Sequence, residues 1–477
     1  MRRALLILTL LTCACATLPR ADLGVSPPEL AQWRDGVNWP DAGQEAVRLL
    51  SGYLQVDTSN PPGNETLGAK YLAGLLEKEG IASEIVEFAP GRGSLIARLK
   101  GTGSEKPLCL LSHLDVVPAE AKNWQQPPFS GLVDAQGMIW GRGALDMKGM
   151  GLIETLTLIW LKRLHVPLKR DVILLAVADE EVDNRGMLFI VEKYWPQIDC
   201  SHVVNEGGMG IRDAMTPGQT IFAISVAEKG LLWLKMIAHG KAGHGSTPIP
   251  GRAPERLLKA LDKIRARHPE AVWHDSTRET LAQVGHDVGG ATGYVLTRPT
   301  LQNWLAESKL MANPGTAAAM TDTVNITGFG GANEPNVIPS EVWAHLDCRL
   351  LPGHKPADML ADLIKLVDDP NVRFEVLHQA LANESPWDDP FYRALARHAV
   401  AGKPNAVAGP VLSPGFTDSL HLRPLGVRAY GFVPFATPQE DTGTMHGENE
   451  RVSSENVRDG LRTLFSAVVD VTALPGK

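Results

Sequence analysis

His113 and Asp115 stand two residues apart in SHLDVVP, at the end of an apolar run, so a strand continuing through them turns both side chains to one side. A polar turn after a buried strand has the same look. Asp146 falls in the loop WGRGALDMKG, whose glycines let backbone approach a site closely, although an aspartate there could equally cap the following helix. DVILLAVADEE delivers Asp179, Glu180 and Glu181 to the end of an apolar strand. Like charges packed against a low-dielectric core are costly unless cations or hydrogen bonds offset them. Glu206 ends another hydrophobic segment beside glycines in SHVVNEGG, and His446 sits in the polar loop EDTGTMHGENE near the chain end. Each residue alone has a plain structural explanation. Together they form a nitrogen and oxygen donor set without thiolate, which suits two divalent cations: zinc first, with cobalt or manganese as alternatives. A carboxylate bridging such a pair would hold the metals about 3.5 to 4 Å apart.

Strand ends are where an open α/β sheet binds ligands, so the elements must deliver these residues there. Helical patterns cover Gln44 to Leu54 and Thr66 to Glu79, the second closed by Gly80. IASEIVEF and SLIARLKG read as strands. PLCLLSHLD and DVILLAVADEE are short apolar runs joined by the helical GMGLIETLTLIWLKRLH, the strand, helix, strand grammar of parallel strands buried on both faces. After about Ala227 the order becomes βαββαβ, a ferredoxin-like split unit interrupted by an insertion of about Pro269 to Asp322. The α/β pattern resumes near Pro386. The expected fold class is therefore α/β, an open, mostly parallel sheet carrying an inserted α+β domain.

A chain of 477 residues exceeds what one core usually supports, which agrees with two domains. Hydrophobic residues at 44% and charged residues at 21% exclude long disorder, and a net charge of −8 without a basic block argues against nucleic acid as a partner. Arg2 and Arg3, an apolar stretch from Ala4 to Leu11 and small residues around Cys13 to Ala16 give a secretory signal over 1–16. Cleavage after Ala16 and lipidation at Cys13 or Cys15 both fit. Cys109, Cys200 and Cys348 are then an odd remainder, expected to be inert buried thiols rather than a disulfide framework.

The ordered motifs HLDVVP, WQQPPFSG, WGRGALDMKG, ADEE, NEGG and MHG resemble the aminoacylase and carboxypeptidase family of co-catalytic zinc amidohydrolases, over roughly Glu45 to Ala467. The likeness is greatest to carboxypeptidase S and secreted N-acyl-amino-acid hydrolases. The resemblance implies that Asp146 bridges two Zn2+ ions, that His113 and Glu206 complete one, and that Glu181 and His446 complete the other. It implies further that the Asp115 carboxylate accepts the second ring N–H of His113 and that Glu180 is the general base, passing a proton from the attacking water to the leaving amine. GKAGHGSTP is similar to the family's lid-histidine motif, which makes His244 a candidate oxyanion donor. Gly245 stands where Ser or Ala is usual. Asn336 in NVIP, Arg349 in DCRLLPG and Gly415 in SPGFTDS resemble contacts to the substrate carboxylate, for which a guanidinium is suited.

By the same resemblance 41–227 and 383–477 form the catalytic domain, and 228–382 is an inserted lid that makes a homodimer. The implied protein is an exported dinuclear zinc carboxypeptidase, periplasmic or secreted or lipid-anchored, which cleaves the amide beside a C-terminal amino acid of a small peptide. N-acyl-amino-acid hydrolysis is the close alternative. An exported solute-binding lipoprotein is the rival of another class, and a general base beside a ligand, Glu180 next to Glu181, is the feature such a binder would not need.

Overall fold

The computed structural model describes residues 17–247, 249–331 and 334–476, so the expected export segment 1–16 lies outside the described residues. Helices Trp39–Leu54 and Glu65–Lys78 lead into an antiparallel pair, β1 (Ser83–Ala89) and β2 (Arg92–Leu99). LCLLSH forms β3 (Leu108–His113). After the short β4 (Met138–Trp140), the helix Lys148–Arg163 crosses to VILLAV, β5 (Val172–Val177). Every residue of β3 and β5 is buried and the two run parallel, as expected for apolar runs covered on both faces. β6 (His202–Arg212) and β7 (Thr220–Glu228) continue this sheet.

The chain then builds a second sheet from β8 (Gly230–His239), β10 (Thr323–Gly330), β12 (Glu341–Leu350) and β13 (Val372–Ala380), with β9 (Gly243–His244) and β11 (Val337–Ile338) forming a separate two-stranded ribbon. Its spatial order is β10-β12-β8-β13, all antiparallel, with helices Ala253–Arg265 and Pro356–Val367 sharing one apolar core with it. This is the βαββαβ unit read from the sequence. The interrupting segment forms helices between Asp275 and Met320, and Leu281, Val284 and Leu296 pack on Val407 rather than on the smaller sheet.

β14 (Asn383–Glu384), β15 (Ala406–Ser413) and β16 (Arg428–Pro438) return to the first sheet, and β17 (Arg451–Ser453) pairs with β4. The finished sheet runs β1-β2-β5-β3-β6-β16-β7-β14, with β15 parallel to β7. Its centre, β5-β3-β6-β16, is parallel, as is β15 on β7, while β1, β2 and β14 add antiparallel pairs, the mostly parallel sheet the sequence predicts. Helices Trp39–Leu54, Lys148–Arg163 and Ser454–Thr472 cover one face, and Arg185–Lys193 packs on the other. Leu152, Ile153 and Leu156 of the central helix are fully buried, each stabilising by about 1.5–3 kcal/mol.

One expectation is corrected here. Cys109 and Cys200 form a disulfide, and only Cys348 among the described cysteines is free. Counting cysteines missed it because parallel pairing of β3 with β6 sets Cys109 opposite Val203, near a residue 91 positions away. Alkylation of unreduced, denatured protein should therefore label one of the three cysteines beyond Ala16, and labelling of all three would refute the bond. Reduction should lower stability by about 2–5 kcal/mol in a denaturant titration.

Candidate metal centre

The parallel strands β3, β5 and β6 all point their carboxyl ends at one place. His113 is the last residue of β3, Glu180 and Glu181 follow β5, and Glu206 lies within β6. β16 packs tightly against β6 beside Glu206: a Cβ at Gly431 would stand 2.3 Å from the Glu206 carbonyl oxygen. The expected residues meet. His113 Nε2 is 3.0 Å from Asp146 Oδ1 and 3.5 Å from Glu206 Oε1. Asp146 Oδ2 lies 3.0 Å from His446 Nε2, and the same nitrogen is 3.0 Å from Glu181 Oε2. Asp146 thus turns one oxygen to each imidazole instead of capping the helix that follows it. His446 holds a left-handed backbone, φ 56°, uncommon outside glycine and frequent at functional sites.

The electrostatics report a surplus of negative charge. Burial pushes the carboxyls of Glu180 and Glu206 well above their ordinary range, and repulsion from neighbouring acids adds to it. Burial also raises Glu181, opposed by its hydrogen bond to His446. Burial acts to raise Asp146 as well, yet hydrogen bonds from both imidazoles hold it far below the usual carboxylate range. Desolvation disfavours a charged His113, but Glu206, Asp146 and Glu180 outweigh it and raise this ring strongly. His446 is pushed up to about 10, first by Asp146 and then by Glu181. Four acids face two imidazoles, and Glu181 Oε1 is buried without a hydrogen-bond partner among the described residues. Donors of this type and charge fit divalent cations. His113, Asp146 and Glu181 make one close group, and His113, Glu180 and Glu206 another.

Asp115 takes a different part from the expected one. The ring Nδ1 of His113 is 2.9 Å from the backbone oxygen of Asp115 but 3.7 Å from its carboxylate. A chain turning directly after the strand brings its own carbonyl back to the ring, and the carboxylate is taken up elsewhere. It accepts the backbone N–H groups of Glu180 and Glu181, both at 3.1 Å, and the Asn60 amide at 2.8 Å. Asp115 therefore anchors the turn that carries both glutamates.

The remaining candidates lie on the second sheet or beside it. Gly245 donates to the Asn336 backbone oxygen at 2.8 Å, so His244 and Asn336 share the β9–β11 ribbon, both exposed. Arg349 is clamped by Asp347 at 2.7 and 3.0 Å and stacks over Phe416, 4.9 Å from the ring centroid, which places it beside Gly415. Among the described residues no hydrogen bond or ion pair joins His244, Asn336, Arg349 or Gly415 to the cluster at the strand ends. Sequence reasoning missed Asp418, a buried carboxyl pushed up to about 7 by desolvation and 3.3 Å from the Asn184 amide, which also bonds the Glu180 carbonyl. The polar TDS after Gly415 was its only signal. Arg92, which pairs with the buried Glu65 and Asp179 behind the site, gave none.

Imidazole and carboxylate donors gathered at the carboxyl ends of parallel strands, with more acid than the imidazoles can balance, define a metal-dependent hydrolase. Residues 109–470 match the family described as Peptidase family M20/M25/M40, and the chain belongs to that family. It is similar to the N-fatty-acyl-amino acid synthase/hydrolase of Homo sapiens, 30% identical over 76% of this chain and 74% of that protein. Aminoacylase-1 of Mus musculus is 26% identical over 92% of this chain and 98% of its own length. In fold it resembles the M20 family metallo-carboxypeptidase of Sulfolobus solfataricus, with a TM-score of 0.68 at 20% identity over 90% of this chain and 99% of that one. A dinuclear metal binding peptidase of Bacillus subtilis superposes with a TM-score of 0.57 at 13% identity, over 90% and 98%.

Proposed function

We propose that this protein is an exported two-zinc amidohydrolase that cleaves the amide beside a free C-terminal carboxylate, releasing an amino acid from a small peptide or an N-acyl conjugate. The observation that carries the reading is Asp146, whose two oxygens address two different imidazoles while the Glu180 carboxylate beside them has no side-chain partner among the described residues. His113, Asp146 and Glu206 would hold one ion, and Asp146, Glu181 and His446 the other. When bound, the ions supply Lewis-acid polarisation of the scissile carbonyl and acidify the attacking water. The chain's own residues do the rest. Asp115 fixes the backbone of Glu180 through its N–H, and the Glu180 carboxylate is free to accept a proton and return it to the leaving nitrogen. Burial raises its basicity above that of an ordinary glutamate.

Export is supported by the 1–16 signal pattern and by the Cys109–Cys200 disulfide, a bond at home in oxidising compartments. Arg349 suits the substrate carboxylate through bidentate pairing, in exchange for Asp347. Relatives named for N-acyl amino acids and others named carboxypeptidase support the same bond with two kinds of acyl group.

The test is a panel of dipeptides and N-acyl amino acids, each with its C-terminal amide as control, read by chromatography of the released amino acid or amino acid amide. Turnover of the free acids, its loss on chelation and its return with zinc or cobalt are expected. Equal turnover of the amides would remove the carboxylate requirement, and chelator-resistant turnover would remove the metals.

A further inference from the structure

Two loops far apart in sequence bring Asp146 and His446 together, and a single buried side chain ties them. β4 pairs with β17, Trp140 opposite Arg451, so the loops 141–146 and 441–450 leave one ribbon side by side. At their junction sits Glu450, fully buried. Its Oε2 accepts the N–H of Gly143 at 3.0 Å and Nη1 of Arg142 at 2.8 Å. Its Oε1 accepts the N–H groups of Leu145 at 2.8 Å and of Asp146 itself at 3.1 Å. The backbone closes the junction on both sides, with Gly141 N–H donating to the Glu450 carbonyl at 3.0 Å and Arg142 Nη2 to the Gly447 carbonyl at 2.7 Å.

We propose that Glu450 is a positioning residue that sets the distance between Asp146 and His446, and so would determine occupancy of a metal site that Asp146, His446 and Glu181 would hold. The inference rests on the two-metal reading above. Glu450 touches neither imidazole and acts through the loop it organises. It lies four residues after His446, and the loop it binds ends on Asp146. Loosening it frees His446, whose side chain is 55% exposed and among the described residues has no partner beyond Asp146 and Glu181, while His113 stays fixed on β3. A carboxylate is required because one side chain must accept three amides and a guanidinium through two oxygens.

Cobalt titration of the purified protein, followed by visible absorption, resolves the two equivalents. Wild type should take up two per chain. Glu450→Gln should keep the first and weaken the second by about 10–100-fold, as when an outer partner of a metal ligand is lost, with an altered spectrum for that equivalent. Glu450→Gln leaves Arg142 without its buried counter-ion and its folding is at risk, so Glu450→Asp, which keeps the charge one methylene short, is titrated in parallel. It should show a smaller weakening, confined to the same equivalent. A folded Glu450→Asp protein that binds both equivalents as wild type does overturns the proposal, as does weakening spread evenly over both. Fewer than two equivalents in wild type would instead sink the two-metal reading.

Discussion

Glu180→Gln is expected to lower kcat for amide hydrolysis by about 10²–10⁴-fold, the range that a positioned proton-transfer group supplies, while zinc content stays at the wild-type value. The amide has the shape of the acid but cannot carry a proton from water to the leaving nitrogen. Nothing in the fold depends on the side chain that is lost. Glu180 is held through its backbone, by its N–H to Asp115 and its carbonyl to Asn184, and its carboxylate enters no hydrogen bond or ion pair among the described residues. Burial disfavours its charge, so the neutral variant should melt no lower than wild type. The same experiment decides between two roles, because Glu180 is also near enough to His113 and Glu206 to act as a ligand. A variant that loses zinc together with activity would make Glu180 a ligand. A variant that retains zinc and full activity would leave the reaction without its assigned base.

Legibility in the sequence followed the range of the interaction involved. β3 and β5 could be read because strands buried on both faces are mostly apolar, and the switch to acid at Asp179 marks where β5 ends. His113, Glu180, Glu181 and Glu206 could be read because strand ends of a parallel sheet converge, whereas Asp146 and His446 lie on loops and were legible through the motifs WGRGALDMKG and MHG. Pairings across the sheet could not. The disulfide depends on the register of β3 against β6, which no local pattern encodes. The misassigned bond of Asp115 was a choice between two acceptors on one residue, settled only by how the chain turns after His113. Glu450 and Asp418 look like ordinary loop acids in sequence, since what distinguishes them is burial among N–H donors contributed by distant segments.

Asp146→Asn should have the largest effect on metal content. A carboxylate can give one anionic oxygen to each of two cations, whereas an amide offers one neutral oxygen and turns an NH2 group toward the other. In the protein, each Asp146 oxygen already faces its own imidazole at 3.0 Å, so whichever way the amide is turned one side of the cluster meets a donor instead of an acceptor. Zinc stoichiometry should fall from two per chain to one or none. Hydrolysis should fall by about 10³-fold or more, since Lewis-acid stabilisation of several kcal/mol is lost at about 1.4 kcal/mol per tenfold. Thermal melts separate this from unfolding. Saturating zinc at about 100 times the dissociation constant stabilises a binding-competent protein by about 2.7 kcal/mol, so wild type should melt higher with zinc while Asp146→Asn shows little or no rise. The variant's own metal-free melt should fall below that of wild type, because the two charge-assisted hydrogen bonds to His113 and His446 that hold Asp146 ionised are lost, so the comparison is the zinc-induced rise within each protein. An Asp146→Asn protein that still binds two zinc ions and turns over substrate would show that the cations are not bridged here, and the roles given to Glu181 and His446 would fall with it.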